Sequence, residues 1–394
     1  MRDFNFYAPT EIVFGRESEE NTGKLVRKYG GTKVLVHYGG QSARRSGLLN
    51  KMFGILKQEG IEYVELGGVV PNPRLSLVKK GIQLCRDEQV NFILAVGGGS
   101  VIDSAKAIAY GFYYDGEPWD FWTAKATPQA ALPIGAVLTI PAAGSEMSNS
   151  CVITNDDNND KRGFNNNLCR CRFCVMNPER TFTLPAYQTA AGATDIMMHT
   201  MERYFTAVED MTLTDALAEA LMRTVKDSAI EVLRNPEDYR NRAQIMWAGS
   251  LSHNDLMECG SCKDFATHKL EHELSAMFDV THGAGLAAIW GSWARYVLPG
   301  HETRFARFAV NVMGVENDFT SPLRTAEKGI EAMEAFYRQI GMPTSIRELL
   351  GREITDDEIQ EMARRASHDD QLTFGSIRVM KREDMVAVYR MANL

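Results

Sequence analysis

The 394-residue chain is 44% hydrophobic and 24% charged, ordinary proportions for a globular protein long enough for two domains. Its net charge of -8, with no basic block, excludes nucleic acid and anionic membrane surfaces as main partners. The start, Met1-Arg2-Asp3-Phe4-Asn5-Phe6, carries no charged-then-apolar leader, and the most apolar stretch, Ala130 to Ala143, is broken by Pro133 and Pro141, so no membrane span is expected. Seven cysteines, an odd number, suit reduced thiols and a cytoplasmic setting.

Strands and helices alternate through the first half. Residues 32–38 form a short apolar run ending in Gly39-Gly40 and read as a buried strand; residues 47–59 have helical spacing, and residues 61–66 alternate like a strand. Residues 72–85 read as an amphipathic helix and 92–96 as a strand, after which Gly97-Gly98-Gly99-Ser100 turns into a helix bearing Asp103 and Lys106. Residues 134–140 give another strand, and Asn155 to Asn167, rich in Asn and Asp, a hairpin or loop. Residues 168–176 read as a strand with Cys169, Cys171 and Cys174 as small apolar residues. This rhythm predicts a mostly parallel sheet covered on both faces. Strand signals stop near Pro185, and residues 186–205, 214–234, 240–257 and 324–340 carry helical periodicity. The expected organisation is an α/β domain over residues 1–184 and an all-α domain over residues 185–394.

Gly97 to Ser100 follows a strand and opens a helix. Without Cβ atoms its backbone can approach a phosphate, and the helix N-terminus offers free N–H donors. The spacing is neither the Gly-x-Gly-x-x-Gly fingerprint nor a Walker loop. Gly39-Gly40-Gln41-Ser42 is a second glycine loop at the same sheet edge, and two such loops suit a dinucleotide lying across them. Each alone also suits a tight turn, as does the strand-end loop from Thr139 to Glu146.

Asp195 and His199 stand one helical turn apart and share a face. As an isolated pair they also suit a capping Asp and a surface His. His268, His272 and His282 follow, and one carboxylate with two or three imidazoles makes a cage for a divalent metal such as iron, zinc or manganese. His268-Lys-Leu-Glu271-His272 also matches the His-x-x-Glu-His string of inverted zinc peptidases. Cys259 and Cys262, with the three earlier cysteines, could form a structural zinc site.

With these residues in place, the chain resembles the iron-containing (group III) alcohol dehydrogenases, and within them the butanol dehydrogenase-like branch. The match runs from Phe6–Gly15 through Pro71–Ser76, Ala95–Lys106, Ala190–His199, Ala266–Leu274 and Asp279–Gly285 to the helix at Arg382–Tyr389. The resemblance implies a dehydroquinate synthase-like fold, with an α/β dinucleotide-binding domain and a helical metal-binding domain. It implies a reaction too, hydride transfer between the nicotinamide of NAD(H) or NADP(H) and a short-chain alcohol or aldehyde, with one Fe2+ or Zn2+. Asp195, His199, His268 and His282 would hold the metal, and His272 would sit near the substrate and relay a proton. Gly98, Gly99, Ser100 and Asp103 would contact the pyrophosphate and nicotinamide side. Thr139 and Lys161 would be further cofactor contacts, and Gly39, Gly40 and Ser42 would border the adenosine ribose. A homodimer or larger assembly is the family tendency. Glycerol and 1,3-propanediol dehydrogenases and dehydroquinate synthase share the fold and remain alternatives; a metallopeptidase or a non-catalytic binding protein are alternatives of other classes. The chain departs from the family pattern at Cys259–Phe265, where glycines and Gly-Asp-Trp are more usual, and in the cysteines of Leu168–Cys174. No acid follows the first strand to reject a 2′-phosphate. Arg44 and Arg45 lie just beyond, so NADP(H) is permitted and the arginines would favour it.

Overall fold

The computed structural model describes residues 1–394. The chain forms two compact units, Tyr7–Thr183 and Leu184–Leu394, and Met1–Phe6 groups with the second. These six residues, read from sequence as part of the α/β half, go with the helices because the Arg2 N–H donates to the Gly260 carbonyl (3.0 Å) and Met1 lies on Gly260.

The first unit is built on a six-stranded parallel sheet. Its strands are β1 (Glu11–Phe14), β2 (Lys33–Tyr38), β3 (Glu62–Leu66), β4 (Phe92–Gly97), β5 (Ile134–Leu138) and, after a hairpin of β6 (Ser150–Asn155) and β7 (Asp160–Asn165), β8 (Phe173–Met176). The order is β1-β8-β5-β4-β2-β3. β4, β5 and β8 are buried along their whole length and β2 over all but its first residue, which explains why their sequences are continuous apolar runs rather than alternating ones. The chain leaves β2 outward to β3, then returns past β2 to β4 and β5. The carboxyl ends of β2 and β4 are therefore a topological switch point, the place where open parallel sheets bind ligands. Gly39-Gly40 ends one strand, and Gly98 is the N-cap of α1 (Gly99–Phe112) after the other.

Two local readings are corrected, and one strand was not foreseen. The cysteine-rich strand starts only at Phe173, because Asn167–Cys169 is a 3-10 turn capped by the Asn166 side chain on the Leu168 N–H. The helix expected from residue 72 starts at Leu75: Asn72 is left-handed (φ 54°) and Arg74 is extended, on either side of Pro73. β1 had no sequence signal, being four residues on a sheet edge.

The second unit is helical, as expected. At its centre α2 (Ala186–Tyr204) is buried on every face from Thr189 to Tyr204. Against it packs α4 (His282–Val297), which also packs on α3 (Ala266–Phe278), and α3 meets α2 where the His268 N–H donates to Glu202. The helix expected over residues 240–257 runs only from Tyr239 to Ser252, because Asp255 adopts a left-handed conformation (φ 72°). No helix is long and apolar enough to cross a membrane.

Gly283 sets the spacing of α4 and α2. A Cβ there would lie 2.1 Å from the Ala191 carbonyl oxygen, so only glycine permits this approach without a backbone shift. Gly283→Ala should cost about 1–3 kcal/mol, the usual penalty of overpacking, measured as a lower urea midpoint at unchanged slope. Stability equal to that of the parent would show that the two helices are not held by this contact.

Candidate functional site

In the helical unit the site begins with α2. Asp195 and His199 are 4% exposed, which removes the alternative of a surface pair. Asp195 Oδ1 lies 3.3 Å from His199 Nε2, and α3 and α4 bring His268 Nε2 and His282 Nε2 each to 3.8 Å from the same oxygen. The His199 and His268 rings stand 4.4 Å apart at their centroids, those of His268 and His282 5.4 Å.

Two buried carboxylates aim these imidazoles. Glu202 Oε1 accepts from both the His268 backbone N–H (2.9 Å) and His268 Nδ1 (3.1 Å). Glu271 accepts from His282 Nδ1 and from the Ser275 hydroxyl. With Nδ1 taken, each ring turns Nε2 toward Asp195, the arrangement of a carboxylate–histidine–metal triad. Gly285 leaves space for Glu271, since a Cβ there would lie 2.9 Å from its side chain.

The bonding of this cluster suits a cation. Asp195 Oδ1, His268 Nε2 and His199 Nδ1 are buried atoms without a hydrogen-bond partner, and the first two face each other. Buried polar groups are otherwise almost always satisfied. Burial opposes charge on His268, but the Asp195 and Glu202 carboxylates outweigh it and lift its pKa to about 9. His199 moves well below the usual imidazole range through burial and its neighbours His253 and His268. Asp195, His268 and His282 each bring a ligand atom within 4.8 Å of the others, a donor set that suits a divalent ion, and His199 adjoins them through its 3.3 Å approach to Asp195 Oδ1.

His272 stands apart. It is half-buried and groups with Glu271 and His282 rather than with Asp195, its ring 5.8 Å from that of His282. The peptidase motif is not realised, since Glu271 is engaged by His282 and Ser275. Neither metal-competent cluster contains a cysteine, so the expected option of a cysteine zinc site finds no support. Cys169, Cys171 and Cys174 are buried free thiols.

Glu202 and His253 escaped the sequence reading, and Glu271 was noted only as part of the peptidase string. Glu202 is seven residues after Asp195 on the same face of α2, and Glu271 three after His268; both spacings were visible. His253, whose ring lies 4.0 Å from His199, has no local signal because it follows a different helix.

In the α/β unit the glycine turn is tight on its inner side. A Cβ on Gly98 would be 3.2 Å from Ile140 and one on Gly99 3.2 Å from Ala143. The Thr139 N–H donates to the Gly97 carbonyl (3.1 Å), holding the next strand-end loop against the turn. Asp103 is engaged structurally: Ser145 Oγ donates to Oδ1 (2.5 Å) and the Val152 N–H to Oδ2 (2.8 Å). Burial pushes its carboxyl above the usual range, opposed in part by Lys106 and Lys161. Buried Lys106 donates to the carbonyls of Ser145 (2.7 Å), Ser148 (3.1 Å) and Ser150 (2.7 Å), pinning the segment that carries Ser145. Ser100 opens α1, where first-turn N–H groups lack intrahelical partners. Gly39 is half-buried, a Cβ there lying 3.4 Å from the Val69 carbonyl; Gly40 and Ser42 are exposed at the switch point.

The α/β unit thus holds a glycine turn at a switch point, suited to a dinucleotide, and the helical unit a buried Asp–His cluster, suited to a metal. Two family models agree: "Iron-containing alcohol dehydrogenase" matches residues 9–178 and "Fe-containing alcohol dehydrogenase family, C-terminal" residues 189–393. The chain belongs to the iron-containing alcohol dehydrogenase family, and is an oxidoreductase. It is 39% identical to NADH-dependent butanol dehydrogenase A of Clostridium acetobutylicum over 99% of each chain. It is 34% identical to the NADPH-dependent aldehyde reductase YqhD of Escherichia coli over 88% of this chain and 89% of that one. The crystal structure of NADH-dependent butanol dehydrogenase A from Thermotoga maritima superposes with a TM-score of 0.95 at 35% identity, covering 100% of this chain and 99% of that one. The resemblance and fold expected from the sequence are borne out.

Replacing Glu202 or Glu271 by Gln keeps a hydrogen-bonding side chain but removes the charge behind each imidazole. Each change should weaken divalent-metal affinity about 10–100-fold, read by competition with a chromophoric chelator. Unchanged affinity in both would mean that these carboxylates only fill space.

Proposed function

We propose that the protein is a metal-dependent NAD(P)H alcohol dehydrogenase and aldehyde reductase acting on short-chain substrates of the butanol and butanal kind. The observation that carries this reading is the pair of buried, facing atoms Asp195 Oδ1 and His268 Nε2, neither of which makes a hydrogen bond. The identity to butanol dehydrogenases supports the substrate class.

Asp195, His199, His268 and His282 would hold the metal, Fe2+ or Zn2+. When bound, the metal supplies Lewis acidity to a substrate oxygen, and the nicotinamide supplies or accepts the hydride at C4. Glu202 and Glu271 keep two of the imidazoles in the tautomer that leaves Nε2 free to coordinate. The N-terminus of α1, with Gly98, Gly99 and Ser100, receives the pyrophosphate, where aligned amides and the helix dipole favour anions. Gly39, Gly40 and Ser42 border the adenosine ribose. Asp103 positions the Ser145 loop, and Thr139 and Lys161 complete the cofactor wall. Aldehyde reduction adds one hydride to carbon and one proton to oxygen. His272, half-exposed beside His282, passes that proton and is reprotonated from water.

The test is NAD(P)H oxidation with butanal, alongside metal content. His268→Ala and His282→Ala should each lose bound metal and lower kcat/KM by at least about a hundredfold, the scale of losing an electrostatic catalyst. Cofactor binding, measured separately by nicotinamide fluorescence, should persist. A variant that keeps both metal and activity would sink the ligand assignment.

A further inference from the structure

An acid is missing from the loop after β2, but the fold brings one to that corner from the neighbouring strand. Glu65 is the penultimate residue of β3. Its Oε2 lies 2.6 Å from Arg44 Nη2 and accepts from the Tyr38 hydroxyl at 3.1 Å. Arg44 also donates to the Tyr38 hydroxyl (2.5 Å) and lies over the Tyr38 ring, 5.3 Å from its centroid. The corner is fixed by the backbone. The Gly68 N–H donates to the Gly39 carbonyl (2.9 Å) and the Val69 N–H to the Tyr38 carbonyl (3.3 Å). Gly67 lies so close to the Tyr38 ring that a Cβ would meet it at 2.3 Å. The end of β3 is thus tied to the end of β2, and Glu65 with it.

This inference rests on the proposed cofactor reading. With the pyrophosphate at α1, after β4, the adenosine ribose falls at the end of the adjacent strand β2. Arg44 is a cation of that corner, five residues beyond the Gly39 turn. We infer that Glu65 is the residue that selects NADH over NADPH, because it neutralises Arg44 where a 2′-phosphate would need it.

The pair itself is worth little as a stabilising contact, since Arg44 is 44% and Glu65 35% exposed. Its effect lies in the sign of the potential. A 2′-phosphate carries up to about two negative charges and binds best to a free guanidinium. To recruit Arg44 it must displace Glu65 and then sit beside the released carboxylate. Ribose hydroxyls make no such demand. Selection therefore comes from a repulsive element as much as from an attractive one. Arg45 is exposed one position along, about 100° round the same turn, and is the rival cation.

The experiment titrates NADH and NADPH against the metal-loaded enzyme by nicotinamide fluorescence. The proteins are wild type, Glu65→Gln, Arg44→Ala, the double variant and Arg45→Ala. Wild type should bind NADH more tightly. Glu65→Gln should tighten NADPH about tenfold, the scale of one freed charge-assisted contact, and leave NADH nearly unchanged. Adding Arg44→Ala should cancel that gain, and Arg45→Ala alone should leave the preference intact. Wild-type preference for NADPH, an unchanged ratio in Glu65→Gln, or a gain that survives loss of Arg44 would each overturn the inference and leave the dehydrogenase reading standing. Binding of neither cofactor by wild type would overturn both.

Discussion

One buried carboxylate governs the helical unit. Asp195 lies midway along a helix enclosed on all sides, and its Oδ1 has no hydrogen-bond partner. An uncompensated carboxylate in such a place costs several kcal/mol, so it persists only if a cation compensates it. A proton on His268 compensates it in part, since the Asp195 and Glu202 carboxylates together outweigh burial and raise that imidazole's pKa to about 9. A divalent ion would do so more fully, because it would also take the lone pair that His282 directs to the same oxygen. Glu202 and Glu271 then serve the imidazoles, and the buried carboxylates become a consistent set rather than three separate penalties.

The rest of the unit is arranged to keep these groups in place. Gly283 and Gly285 open α4, and each lacks a side chain where one would push away either α2 or Glu271. Buried Arg203, one residue after Glu202, donates to the His199 carbonyl at 2.8 Å and lies 3.3 Å from Glu258, tying the ligand helix to the loop before α3. In the α/β unit the same economy applies to a different problem. A parallel sheet buried on both faces offers no polar surface along its strands, so ligand contacts must come from the strand ends. The glycine turns supply backbone there, and Lys106 and Asp103 hold the neighbouring loop by hydrogen bonds rather than by packing.

What the sequence revealed follows from how local each signal is. β2, β4 and β5 were legible because a buried parallel strand is an uninterrupted apolar run, and the glycines after β2 and β4 mark their ends. Asp195 and His199 were legible because helix spacing alone puts them on one face. Their meeting with His268 and His282, more than 60 residues on, follows from helix packing; the residue types suggested such a cage, and the family resemblance named its members. β1 was too short to carry a pattern. The cysteine-rich segment misled because Leu168 to Met176 has strand-like composition, while Asn166 caps a turn inside it. The acid beside Arg44 was looked for in the loop after β2, yet it arrives from β3 through sheet pairing, a contact that no spacing rule encodes.

The central claim is that a single divalent metal completes the Asp195 cluster. Anomalous diffraction at the iron and zinc edges, from crystals grown with each metal, tests it directly. The account predicts one peak about 2.0–2.2 Å from Asp195 oxygen and from the ring nitrogens of His199, His268 and His282. A peak held instead by Glu271 and His272, or by the cysteines, or no peak in crystals of active enzyme, would contradict it.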